Sequence, residues 1–366
     1  MDTVTHALFG AAISDCGFRK RLGPLATPFS LVAAASPDMD VLAYFVSSQA
    51  AWTNHRGYTH AFLTLAIAGP VLGGLGRLLS RRPGTWFAWT VLAWLCLFSH
   101  TLLDLATSWG TMPYLPFSNA RVSWDILPII DVFMSAVPLS SFVVNRMLRW
   151  EWTEHFLNPL AFPVVHEYPR RRRIADIAGR TAVALVVAYF AVGWLQNRQT
   201  VRIAREELAE VGFRPVETRA LPIMFTFIAY EVIARDASGE IRKANYSSWA
   251  PKRMEFAKFP APKSDLFDLA MNTPEGRLFS WYSQGMVGAL PPIPDGDDWR
   301  FILVDRRFAV PSDPGQPRFV MKFAFDSSKR VVAADAVMAG FQDVDIGDEI
   351  SALWRLTRYG DVRERR

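Results

Sequence analysis

Eight side chains able to bind or activate a metal recur in pairs along the chain: Asp2 with His6, Asp38 with Asp40, His55 with His60, and His100 with Asp104. Asp2 and His6 are four apart, as are His100 and Asp104, so each pair lies on one face of a helix. There the two could share an ion, or the carboxylate could orient the imidazole from behind. A structural His–Asp hydrogen bond is the alternative. Asp38 and Asp40 follow Pro37; in extended backbone both could enter one polar pocket, and otherwise they belong to a solvated loop. His55 and His60 bracket Arg56-Gly57-Tyr58-Thr59 at the mouth of an apolar run. Ionisable groups at membrane depth normally face a protein interior or a wet cavity and mark a functional site.

The candidate ligands His6, Asp38, Asp40, His55, His60, His100 and Asp104 offer only nitrogen and oxygen, with no thiolate placed to help. Such a set suits zinc first, with manganese or iron as alternatives, rather than an iron–sulfur or copper(I) centre. The donors exceed what one tetrahedral ion needs, so the expectation is a divalent metal, one or two ions. The chemistry would be attack by a metal-activated water. Asp131 stands near the start of an apolar run without a histidine four residues away. It is the expected general base, provided it lies within hydrogen-bond reach of that water; orienting a ligand is its alternative role. Arg56 would stabilise a developing negative charge, or else form a salt bridge to a loop carboxylate.

These residues must be held by membrane segments. The chain of 366 residues is 51% hydrophobic and 20% charged, a blend of an apolar N-terminal half and an ordinary C-terminal half. Residues 3–17 are apolar but short, since a span takes ~20 helical residues. Leu25 to Val46 is long enough yet interrupted by Pro37, Asp38 and Asp40, which predicts a broken helix. Thr59–Leu79, Trp86–Ala106, Ile126–Leu148 and Ile174–Leu195 complete about six segments, with Ser47–Tyr58 and Thr107–Trp124 as loops. Arg19-Lys20-Arg21, Arg77 to Arg82, and Arg146 to Arg173 follow the first, third and fifth segments, which puts them on the cytoplasmic side. The candidate ligands, the N-terminus and residues 197–366 then fall on the opposite side. His155 and His166, in the last basic stretch, are read as exposed and outside the site.

The net charge of +5 arises in short loops between apolar runs, without a recognition module, which argues against a nucleic-acid partner. Cys16 and Cys96 have no ligand spacing. The first residues lack a basic leader, against a cleaved signal peptide. From Gln196 the character changes. Arg198–Val211 reads as an amphipathic helix. Phe225–Ile233, the turn Ala237-Ser238-Gly239 and Ile241–Trp249 read as a hairpin, and Arg300–Val310, Arg318–Phe325 and Arg330–Met338 as further strands. The expected fold is a polytopic α-helical membrane bundle, residues 1–196, followed by a soluble β-rich α+β domain, residues 197–366.

The blocks Asp2-Thr3-Val4-Thr5-His6, Pro37-Asp38-Met39-Asp40, His55-Arg56-Gly57-Tyr58-Thr59-His60 and His100-Thr101-Leu102-Leu103-Asp104 resemble the YdjM-like family of bacterial inner-membrane proteins. So do Thr107-Ser108-Trp109-Gly110, Leu115-Pro116-Phe117 and Ile129-Ile130-Asp131. The resemblance covers residues 1 to about 135; Ala61 and Val132 depart from it, standing where serine and proline are usual. It implies an inner-membrane metal site and a metal-dependent hydrolase activity. Taken with the residues, the expectation is hydrolysis of an ester or phosphoester, with a lipid arriving from the bilayer as one candidate substrate. Two other classes compete. A metal or proton transporter would use the same cluster near the midplane with access to both faces, and a membrane anchor with a structural metal would present the C-terminal domain to a partner.

Overall fold

The computed structural model describes residues 1–149, 169–313, 315–338 and 345–362; His155 and His166 lie outside them. The chain divides into two compact units. The first comprises Met1–Asp40, Arg56–Trp124 and Ile129–Val192, and the second Val41–His55, Asp125–Pro128 and Gly193–Arg366.

In the first unit, helix α1 (Thr3–Ile13) starts on Asp2, whose carboxylate accepts the Thr5 N–H at 2.9 Å and the Thr5 hydroxyl at 2.7 Å. A π-turn (Ser14–Phe18) and the short α2 (Arg19–Leu22) lead to α3 (Ala26–Ala35). Pro37 has no N–H to continue the α-ladder, and the chain tightens into a 3-10 run, Ser36–Phe45. The break is where the sequence places it, but the backbone around Asp38 and Asp40 is not extended. With three residues per turn, side chains two apart point in different directions, and the two carboxylates meet different nitrogens of one histidine, His60.

Helices α5 (Phe62–Ser80) and α6 (Trp86–Leu105) are long and apolar enough to cross a membrane. So is the stretch Arg173–Glu210 of α8 (Pro169–Glu210). The apolar part of α7 (Val132–Arg149) is shorter. Helices α1 and α3, with 11 and 10 residues, rise ~1.5 Å per residue and cover about half of a ~30 Å hydrocarbon core. Close packing joins α5 to α6. A Cβ on Gly69 would stand 2.1 Å from the Trp94 ring, and one on Gly73 2.2 Å from Thr90 Oγ1. Small residues here let two backbones approach, while Ile67, Val71, Leu75 and Leu78 leave an exposed apolar stripe on α5.

In the second unit, α8 runs on from its apolar stretch, and Ala204 and Leu208 pack into the core of an antiparallel sheet. That sheet is β1 (Pro215–Pro222), β2 (Ala229–Asp236), β3 (Ile241–Ser247) and β4 (Ala257–Phe259), in sequence order. Helices α9 (Asp265–Met271) and α10 (Pro274–Tyr282) lead to a second antiparallel sheet. It orders β5 (Val287–Ala289), β7 (Asp298–Asp305), β8 (Phe319–Phe325) and β9 (Val331–Met338), with β6 (Ile293–Asp295) on β7. Helix α11 (Ile346–Tyr359) follows.

The stretch expected to be a plain loop, Ser47–Tyr58, contains helix α4 (Ser48–Asn54), capped by the Ser47 hydroxyl on the Ala50 N–H. Its Trp52 is fully buried in the second unit, stacked on Tyr282 at 4.6 Å with Phe319 and Phe279 at its edges. Asp125, also in this unit, forms a two-pronged ion pair with Arg219, both bonds 2.8 Å. Trp52→Ala should therefore destabilise the second unit by about 3–5 kcal/mol, as large-to-small core changes do. Thermal unfolding in detergent checks this, with Trp52→Phe expected to recover most of the loss; an unchanged midpoint for Trp52→Ala would contradict the anchor.

Candidate metal centre

Four acceptor atoms converge in the first unit. His60 Nε2 lies 3.0 Å from His100 Nε2 and 3.0 Å from Asp104 Oδ2. Asp38 Oδ1 lies 3.8 Å from His60 Nε2 and 3.4 Å from His100 Nε2, and Asp104 Oδ2 lies 3.5 Å from His100 Nε2. Donors ~2.0–2.1 Å from a tetrahedral ion stand about 3.3 Å apart, and the distances above, 3.0–3.8 Å, bracket that value. All four residues are buried.

The other ring nitrogens fix the tautomers. His100 Nδ1 is 2.6 Å from the Ala34 carbonyl, an oxygen that only accepts, so Nδ1 carries the proton. His60 Nδ1 lies 2.9 Å from Thr59 Oγ1 and 3.2 Å from Asp40 Oδ2. Because the Thr59 hydroxyl donates to Asp40 at 2.8 Å, its oxygen is left to accept from His60. Neutral rings held this way turn both Nε2 lone pairs inward against two carboxylate oxygens. Asp104 Oδ2 has no hydrogen-bond donor among the described residues. A proton on one Nε2 relieves only some of these contacts, whereas a divalent cation serves all four atoms. The donor set and its orienting carbonyl and carboxylate fit a bound metal ion.

The remaining candidates surround this group in distinct roles. Asp104 Oδ1 faces Arg56 Nη2 at 3.0 Å, His6 Nε2 at 3.2 Å and the Met1 amino group. His6 is therefore behind the four, its ring stacked on His100 at 3.7 Å and its Nδ1 buried without a hydrogen-bond partner among the described residues. Asp2 is outside the group of four, its two carboxylate oxygens accepting from Thr5 at the helix start. Asp40 stands one step back, accepting the Arg56 N–H at 2.7 Å as well as Thr59 and His60. Arg56 has left-handed backbone, φ 60°, a conformation costing a non-glycine residue about 1–3 kcal/mol. Its guanidinium donates to Thr107 Oγ1 at 2.7 Å, and its carbonyl accepts from the Met112 N–H. Arg56 thus clamps Asp104. His55 is not one of the four; it belongs to the second unit, with Tyr44 edge-on at 6.0 Å. Asp131 is engaged elsewhere: Oδ1 accepts the Met134 N–H at 2.9 Å and Oδ2 the Tyr189 hydroxyl at 2.5 Å.

Three contributors were missed in sequence. Thr3, whose hydroxyl donates to Asp38 Oδ2 at 2.6 Å, and Thr59 were inside the marked blocks, where a hydroxyl beside a ligand could have drawn notice. The Ala34 carbonyl had no signal, because every residue carries one.

The family model described as "YdjM inner membrane protein" matches residues 1–200. The chain belongs to this family. The uncharacterized protein YfhP of Bacillus subtilis (strain 168) is 23% identical over 154 residues, covering 39% of this chain and 46% of YfhP. The chain therefore spans about half the length of that curated relative. No solved structure matches. The family places the chain in an inner membrane, in keeping with the three long apolar helices among the described residues.

Asp38→Asn, His60→Ala, His100→Ala and Asp104→Asn should each abolish stoichiometric metal in the purified protein, read by elemental analysis. Asp40→Asn should weaken affinity by roughly 10–100-fold, as loss of an orienting partner does. Asp131→Asn should retain the metal. Full metal content in the His60 and His100 variants would refute the assignment.

Proposed function

We propose that this protein is a membrane-bound metal-dependent hydrolase of an ester or phosphoester. The observation that carries the reading is the convergence of Asp38, His60, His100 and Asp104 at metal-ligand spacing, with orienting partners on the far sides of both imidazoles. Those four residues would hold one divalent ion, zinc first and manganese or iron as alternatives. Bound there, the ion supplies Lewis acidity, polarising an ester or phosphoryl oxygen and acidifying water.

The chain's own groups do the rest. Asp40 and the Ala34 carbonyl keep the rings turned inward, and Arg56 holds Asp104 through Oδ1. Asp38 is the most exposed of the four, at 8% against 0–1% for the others, so water and substrate approach from its side. Asp131 gains no support as the base, because Met134 and Tyr189 use its two oxygens. Exposed apolar surface on α5 supports a substrate that arrives through lipid. The distribution of basic loops supports the finer topology: about six membrane segments, with the ligands and the C-terminal domain, residues 197–366, outside the cytoplasm.

A second reading has its own observation. Four protein donors at tetrahedral spacing complete the sphere of a closed, structural site, and the protein would then be a membrane anchor with a structural metal. Activity decides between them. Metal-loaded protein in detergent should hydrolyse members of an ester and phosphoester panel, and chelation should abolish turnover with recovery on adding zinc or manganese. No turnover of the panel, together with unfolding on chelation, would favour the structural metal. For topology, a periplasm-active reporter fused after Arg366 should be active, and activity of a cytoplasm-only reporter would reverse the assignment.

A further inference from the structure

The first sheet of the second unit is mounted on the helix that leaves the membrane, and its two ends differ in character. The apolar stretch of α8 closes with Trp194 and Leu195, both exposed, and Gln196 follows. There the Ser248 hydroxyl donates to Gln196 Oε1 at 3.4 Å, and the Asn197 amide donates to the Ala220 carbonyl at 2.6 Å. Farther along the helix, Ala204 packs with Tyr230 and Tyr246, and Leu208 packs with Ala234. At ~1.5 Å per residue, Leu208 is about 18 Å beyond Gln196. The strands therefore run along the emerging helix. The Pro222–Ile228 loop and the Ser248–Lys252 segment lie at the membrane end, and the Asp236–Glu240 turn lies away from it.

The membrane end is apolar and aromatic. Phe225 is 49% exposed, Trp249 75%, and Met224 is also exposed. Neither loop contains an acidic residue. The distant turn is Asp-Ala-Ser-Gly-Glu, closed by the Asp236 carboxylate on the Ser238 and Glu240 N–H groups. Basic side chains flank the aromatic end. Arg198 lies over the Trp194 ring at 5.7 Å. Lys252 and Arg358 are exposed, and α11 reaches this end through Ser247, whose hydroxyl donates to the Thr357 carbonyl at 3.2 Å. Arg358 also lies over Trp354, an exposed ring, at 5.2 Å.

We propose that this end of the sheet is a bilayer-docking surface: Phe225 and Trp249 enter the headgroup region, and Arg198, Lys252 and Arg358 meet lipid phosphates. The exposed apolar Trp194 and Leu195 of α8, in the same unit, name the bilayer as occupant. Tryptophans with snorkelling basic side chains are the residues that sit at that depth. Docking would fix the orientation of the whole sheet on the membrane, whichever chemistry the metal centre performs.

The test uses the full chain carrying Cys16→Ser and Cys96→Ala, in phospholipid nanodiscs. A single NBD label is placed at Phe225→Cys, Trp249→Cys or, as control, Ser238→Cys. Lipids bearing a nitroxide near the headgroup should quench the labels at 225 and 249 at least threefold more than at 238, and aqueous iodide should quench 238 most. Equal nitroxide quenching at all three positions would overturn the proposal. So would labels at 225 and 249 shielded from iodide yet untouched by nitroxide lipid, which would place a protein or a second copy of this chain on the surface.

Discussion

Four electron-rich atoms within 4.8 Å of one another repel, and in a dry interior no solvent relieves them. Asp38 Oδ1, His60 Nε2, His100 Nε2 and Asp104 Oδ2 are held in that arrangement by contacts that all act from outside the group. The Ala34 carbonyl and Asp40 take the ring protons, Arg56 takes the other oxygen of Asp104, and Thr3 takes the other oxygen of Asp38. The first unit therefore serves to press like against like. Its close packing has the same purpose: Gly10 admits the backbone of α3 against α1, where a Cβ would stand 2.5 Å from the Ser30 carbonyl. That contact sets the distance between His6 on one helix and Ala34 on the other.

Arg56 shows how strain is tolerated in such a place. Its left-handed backbone would relax in a free loop, but its N–H, carbonyl and guanidinium are each held by a different partner, Asp40, Met112 and the Asp104–Thr107 turn. One residue ties the 3-10 segment, the loop after α6 and the Asp104 carboxylate together. Of the two roles the sequence left open for Arg56, charge stabilisation or a salt bridge, the ion pair with Asp104 is the one its geometry displays.

Much of this was legible because the chemistry leaves residue types at helical spacing. His100 and Asp104 were readable as one helix face, and Pro37 as a break. The strands around Ala237-Ser238-Gly239 followed from alternation and a turn, and appear as β2 and β3. The division of labour among carboxylates was not legible. Whether Asp38 or Asp40 points inward depends on a 3-10 geometry that a polar stretch does not announce, and Asp131 looked unpaired only because Tyr189 is 58 positions away. His55 looked like a twin of His60, yet Trp52 carries its segment into another unit. A lone tryptophan in a polar loop reads as surface until its aromatic partners, far along the chain, are known.

The burial of Trp52 has a consequence in time. Tyr282 and Phe319, against which it packs, are synthesised roughly 230 and 270 residues later. At ~5–20 residues per second the wait is on the order of ten seconds to a minute. During that interval the ribosome has delivered Asp38, His60, His100 and Asp104, but the segment Val41–His55 between the first two has nothing to fold upon. The N-terminal part of the chain is thus born with an open seam that only its C-terminal sequence can close, and nascent chains stalled before residue 282 would carry all four of these residues while leaving α4 accessible to proteases and chaperones.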